Sequence, residues 1–239
     1  MKTVFLGTSE FAVSVLRRLA GSPHRPSLVI TRPDRPRGRG RKLSSPPVAD
    51  AARELQIDLD QPRSVNDEAA RTRIAAADPG AVCVVAFGAL IKEPLLSDCW
   101  VLNVHPSLLP RWRGAAPIGR AIMAGDTRTG VSVIRLTEGL DSGPLCAQHD
   151  EPIEPRDTYG TLAGRLQRLG GELLVDTLDQ RPACVEQPGA GAHDHAHGAV
   201  ALADVIRVRV ERMSDRAHGR RGHVSVPPDW SATHLRNRS

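Results

Sequence analysis

The sequence predicts an α/β fold: a Rossmann-like, mostly parallel sheet with helices on both faces. Three observations carry that prediction. Short apolar runs alternate with amphipathic helical stretches over residues 1–180. The run Ala81-Val82-Cys83-Val84-Val85-Ala86-Phe87 is apolar on both faces, as a central strand of a parallel sheet must be. Gly7-Thr8-Ser9 makes a tight turn between an apolar run and a helical pattern, the opening of a βαβ unit.

Residues 3–6 give the first strand. Phe11, Val15 and Leu19 then share one helical face, and Ser9 stands where an N-cap belongs. Residues 28–31 form the second strand, halted by Pro33 and Pro36. A loop leads to helices over 47–56 and 65–77, then to strands over 81–87 and 100–104. Residues 130–136 and 145–153 suit antiparallel strands around a turn at Asp141-Ser142-Gly143-Pro144, and a long helix over 158–178 closes the unit. Sheets of this kind bind ligands at the carboxyl ends of their strands.

The 239 residues, 40% hydrophobic and 25% charged, are ordinary for a globular protein that needs no metal or disulfide to hold its core. The longest apolar run, residues 81–91, falls far short of the ~20 that span a membrane. Met1-Lys2-Thr3-Val4-Phe5 does not begin a secretory signal. A cytoplasmic protein without membrane contact is expected. Cys83, Cys99, Cys146 and Cys184 form no C-x-x-C pair and are expected as reduced thiols, with no metal bound. The net charge of +5 is unevenly placed: residues 207–239 hold eight arginines against three acids, which leaves residues 1–206 neutral. Within those, residues 32–42 hold six basic side chains and one acid, a solvated face or a contact for an anionic partner.

Two clusters carry chemistry. In Leu102-Asn103-Val104-His105-Pro106, side chains two apart share a strand face ~6.6 Å apart. Asn103 and His105 thus point together at a strand's carboxyl end. An amide and an imidazole there stabilise a developing oxyanion and manage a proton, or are merely satisfied strand-end groups. In Thr137-Glu138-Gly139-Leu140-Asp141-Ser142-Gly143-Pro144 an acid stands among glycines. Asp141 there is either a turn residue or the carboxylate that orients the histidine. Nucleophile-elbow, P-loop and dinucleotide motifs are absent.

Together these segments resemble the methionyl-tRNA formyltransferase family over about residues 1–180. The resemblance runs through Phe5-Leu6-Gly7-Thr8-Ser9-Glu10-Phe11-Ala12, Thr31-Arg32-Pro33-Asp34-Arg35-Pro36, Gly38-Arg39-Gly40-Arg41-Lys42-Leu43 and Val85-Ala86-Phe87-Gly88. It is strongest over Asn103-Val104-His105-Pro106-Ser107-Leu108-Leu109-Pro110-Arg111-Trp112-Arg113-Gly114-Ala115-Ala116-Pro117-Ile118 and Gly139-Leu140-Asp141-Ser142-Gly143. It implies the formyltransferase fold, and transfer of a formyl group from the co-substrate 10-formyltetrahydrofolate to the amino group of initiator methionyl-tRNA, by a monomer. Asn103 and His105 are then expected to bond the oxyanion and Asp141 to hold the histidine. Folate is expected against Phe87, Gly88, Ala89 and Leu90 and against Ser107, Leu108, Leu109 and Pro110. The tRNA is expected against Arg35, Arg37, Arg39, Arg41 and Lys42, with Arg39 at the acceptor stem. Another amine acceptor, water, or a chain that only binds ligand or RNA are the rival readings.

The family carries a C-terminal barrel that helps to bind tRNA. Residues 181–239 do not align with it: Pro188-Gly189-Ala190-Gly191 opens a Gly-, Ala- and His-rich stretch, and arginines follow without strand alternation. The expectation is a linker and an atypical, truncated or divergent end. His193-Asp194-His195-Ala196-His197 within it reads as solvated linker rather than a metal site.

Overall fold

A computed structural model gives the fold and describes residues 1–37 and 42–187. In chain order the elements are β1 (Thr3–Gly7), α1 (Glu10–Ala20), β2 (Pro26–Ile30), β3 (Arg35–Arg37), β4 (Lys42–Ser44), α2 (Pro47–Glu54), β5 (Asp58–Asp60) and α3 (Glu68–Ala76). There follow β6 (Ala81–Val85), α4 (Leu95–Asp98), β7 (Val101–His105), α5 (Pro117–Met123), β8 (Arg128–Arg135), β9 (Leu145–Pro152) and α6 (Tyr159–Gln180).

Seven strands form one sheet in the order β5-β2-β1-β6-β7-β8-β9. The first five run parallel, while β8 and β9 run antiparallel to their neighbours. Alternation within each strand sorts the core onto two faces. Phe5, Cys83 and Val85 pack with residues of α1, α2 and α6 on one face. Val4, Leu6, Val82 and Val84 pack with Ile74 of α3 and Leu95 and Leu96 of α4 on the other. Each fully buried valine or leucine contributes roughly 1.5–3 kcal/mol, so this two-sided burial fixes the strand register. Gly170 and Gly171 let α6 lie close: a Cβ on Gly170 would stand 3.0 Å from Val104, and one on Gly171 2.9 Å from Arg18.

The chain leaves β1 for β2 and β5 on one side and returns through β6 on the other. The strand order therefore reverses between β1 and β6, and crevices for ligands open at such points. Thr8 Oγ1 donates to the Phe87 carbonyl at 2.8 Å and ties the two strand exits together.

Several expectations change. β6 ends at Val85 instead of residue 87, because Ala86 turns into the left-handed region at φ 43°. Ser9 occupies the N-cap position of α1 but makes no capping bond, and its Oγ is buried without a hydrogen-bond partner among the described residues. The loop after β2 contains the β3–β4 hairpin, which admits Pro36 because a two-stranded ribbon leaves outward N–H positions free. The expectation of four reduced thiols is corrected: Cys146 and Cys184 form a disulfide, brought together where Val185 pairs with Leu145. Cys83 and Cys99 stay free, and burial pushes the Cys83 thiol up to about 12. No helix among the described residues is long and apolar enough to cross a membrane. The readings placed on residues 188–239, the histidine stretch included, lie outside the described residues.

Candidate active site

A cavity of about 730 Å³ opens at the carboxyl ends of β1, β6 and β7. Its walls come from Ser9 and Phe11 after β1, residues 86–91 after β6, the end of β7, residues 114–118 and the turn 137–141. Asn103 and His105 share a face of β7, and β8 brings the Asp141 turn across to them.

The three side chains meet. Asn103 Nδ2 donates to Asp141 Oδ1 at 3.2 Å. His105 Nδ1 lies 3.4 Å from Asp141 Oδ2, and the two side chains are 6% and 12% exposed. The Gly114 backbone N–H donates to Asp141 Oδ2 at 2.8 Å. On its far side His105 Nε2 lies 3.0 Å from the Trp112 carbonyl. A carbonyl only accepts, so Nε2 carries a proton and Nδ1 is the nitrogen that gains or gives one beside the carboxylate.

The Trp112 carbonyl is itself fixed. Trp112 Nε1 donates to Asp126 at 2.7 Å, and the Arg111 and Arg120 guanidiniums lie 4.2 and 4.8 Å from the ring centroid. Hydrogen bonds from Arg111 first, then Trp112, hold the Asp126 carboxyl below its usual range. Gly143 lets the Asp141 turn press on β8, since a Cβ there would collide with the Arg135 carbonyl oxygen.

Of the expected ligand contacts, Phe87, Gly88, Ala89 and Leu90 line the cavity. Ser107, Leu108, Leu109 and Pro110 follow the lining residue Pro106 and stand outside that lining. The chain turns away after Pro106 and spends its polar groups internally. Ser107 Oγ donates to the Arg111 carbonyl at 2.6 Å, and the Leu109 N–H donates to Ser132 Oγ at 3.1 Å. Leu109 is buried against Ile134 and Leu145. Arg35 is exposed; Arg37 and Lys42 sit on β3 and β4, and Arg39 and Arg41 lie outside the described residues. The sequence reading missed the Gly114 N–H and the Trp112 carbonyl, because backbone groups leave no side-chain signature. Among the described residues no group of three metal-ligating side chains converges.

The formyl transferase family pattern matches residues 1–178. The chain is 44% identical over 200 residues to a methionyl-tRNA formyltransferase of Aromatoleum aromaticum, covering 80% of this chain and 63% of that one. It is 46% identical over 184 residues to one of Methylobacillus flagellatus, covering 75% and 59%. It thus spans about 60% of the length of these curated relatives. In three dimensions it is similar to a phosphoribosylglycinamide formyltransferase of Bacillus halodurans, with a TM-score of 0.62 and 22% identity over 76% of this chain and 95% of that one. A sugar 3N-formyl transferase solved with dTDP and 5-N-formyl-THF shares the fold at a TM-score of 0.58 and 18% identity, over 79% and 67%.

Proposed function

The chain belongs to the formyl transferase family, and from that premise we propose that residues 1–180 transfer the formyl group of 10-formyltetrahydrofolate to the amino group of initiator methionyl-tRNA, in support of translation initiation in the cytoplasm. One observation carries the reading: Asn103, His105 and Asp141 converge on the wall of a cavity at the strand-order reversal. The curated relatives named for this activity, at 44% and 46% identity, support the choice of acceptor. So does the arginine-rich hairpin between β2 and α2.

The cavity fits a formyl-folate donor. Its volume falls in the usual range of small-molecule sites, Phe87 and Ile91 supply apolar wall, and Asn103, His105 and Asp141 meet in its lining. The donor supplies a formyl carbon already activated on nitrogen. Asn103 has given one amide N–H to Asp141, and its second N–H serves the negative charge that grows on the formyl oxygen. His105 was expected to share that task by a direct bond. With Nε2 committed to Trp112 and Nδ1 beside Asp141, it acts instead as a charge and proton carrier next to the site. The balance is simple: a C–N bond forms to the amine, the donor's C–N bond breaks, and the amine proton passes to the donor nitrogen. Asp141 and His105 Nδ1 are the groups that carry it.

The test is incubation with 10-formyltetrahydrofolate and methionyl-tRNA, following both donor conversion and formyl-methionine. Both together support the proposal. Donor conversion without tRNA formylation points to another acceptor, and no conversion points to a chain that only binds.

A further inference from the structure

We propose that Gln187 is a positioning residue for the formyl-transfer site, its side-chain amide clamping the turn that carries Asp141. The inference rests on the role assigned to Asp141 above.

Gln187 lies past residue 178, where the family match ends, and Glu186-Gln187-Pro188 gives no sign of function. Yet it is only 3% exposed. Its Nε2 donates to two carbonyls of the turn, those of Asp141 at 2.9 Å and Gly143 at 2.8 Å. Its Oε1 accepts from Nε and Nη2 of Arg113 at 3.2 and 2.8 Å. A guanidinium only donates and a carbonyl only accepts, so the amide is oriented from both sides.

These contacts fall on Asp141, on Gly143 of the same turn, and on Arg113. Arg113 immediately precedes Gly114, whose N–H holds the Asp141 carboxylate. Asp141 has φ 45°, a left-handed conformation that aspartate tolerates better than most side chains, and the contacts from Gln187 favour it. Two anchors deliver Gln187 to it. Val185 and Leu145 exchange backbone hydrogen bonds at 2.7 Å, and Cys184 is disulfide-bonded to Cys146. Both partners stand at the start of β9, directly after the turn.

The test uses the full chain with Gln187→Met, which removes donors and acceptor at similar length, and Gln187→Glu, which keeps the acceptor for Arg113 but lacks the two N–H groups. Both should lower kcat for formyl transfer by about 10–100-fold, as small misplacements of catalytic groups do, with KM for the formyl donor unchanged. In an Asp141→Asn background Gln187→Met should cost less than about twofold more, because the clamp acts through Asp141. Hydrogen exchange in the peptide spanning residues 138–143 should rise roughly tenfold in Gln187→Met, the consequence of losing buried hydrogen bonds worth about a factor of ten. Unchanged exchange overturns the clamp whether or not the chain transfers formyl groups. Full additivity with Asp141→Asn, or normal kcat in both variants, overturns the positioning role. A wild-type chain that converts no donor overturns the proposed function, and the exchange measurement then decides the clamp alone.

Discussion

At the Asp141 turn one carboxylate is met by the Asn103 amide, the Gly114 N–H and the His105 ring, and its side chain is 12% exposed. At the basic hairpin the hydrogen bonds among the described residues lie at the base. Gln61 Nε2 donates to the Arg32 carbonyl at 2.9 Å and to Asp34 Oδ1 at 2.8 Å, while Arg35 beyond them is exposed. The difference separates two uses of charge. Chemistry needs a few groups aimed in advance at one place, because reorganising them during reaction costs rate. Attracting a polyanion needs only many charges of one sign on an anchored stalk, and no single one of them is decisive. On the reading proposed above, single substitutions should be severe at the turn and mild on the hairpin.

The largest effects are therefore expected from Asn103→Ala, His105→Ala and Asp141→Ala. Each should lower single-turnover formyl transfer by roughly 10²–10³, as loss of one preorganised donor does elsewhere. Circular dichroism should stay unchanged. Near-normal transfer in any of the three would move that residue out of the chemistry.

Gly143→Ala sharpens the same side. The added methyl meets the Arg135 carbonyl oxygen, so the turn must shift. A destabilisation of roughly 1–3 kcal/mol is expected in urea denaturation, with transfer lost alongside it. An unchanged midpoint with full activity would show that the turn yields freely.

The parallel core was legible because two-sided burial writes an unbroken apolar run, as in Ala81–Val85. Asn103 and His105 were legible because strand alternation puts them on one face at a strand's end. What escaped has physical reasons. β5, the sequence Asp58-Leu59-Asp60, is a short edge strand with one apolar residue and no periodicity to detect. α5 starts with Pro117 after Ala116 in a left-handed conformation, so tertiary context sets its boundary rather than a capping side chain. Gln187 and the Cys146–Cys184 bond are long-range pairings between segments that nothing local connects.

On the hairpin, Arg35→Ala should raise KM for methionyl-tRNA a few-fold at low salt. It should also reduce the log–log salt slope by about 0.9, one phosphate's share, and leave the formyl-transfer step unchanged. Removing residues 207–239 should likewise weaken salt-sensitive affinity only. Loss of transfer at every salt concentration would place either segment with the turn.

The smallest effect tests another carboxylate, satisfied and outside the cavity lining. Hydrogen bonds from Arg165 first, then Thr161, hold Asp157 well below the usual carboxylate range. Unfolded, it takes up its proton near pH 4. Its contribution to stability is thus complete above about pH 4 and is lost as pH falls toward the lower folded value. Asp157→Asn should flatten that part of the acid dependence of Tm and leave kcat at neutral pH untouched. A changed kcat would break the contrast between satisfied and catalytic carboxylates.

The central claim is that the Asn103–His105–Asp141 cluster moves a formyl group, and a rapid-quench experiment tests it most directly. Excess chain, 10-formyltetrahydrofolate and methionyl-tRNA are mixed, and formyl-methionine is counted in wild type and His105→Ala. One formyl group per tRNA, formed in a single phase by wild type and slowed roughly 10²–10³-fold in the variant, is the predicted result. Equal rates in the two proteins would contradict it.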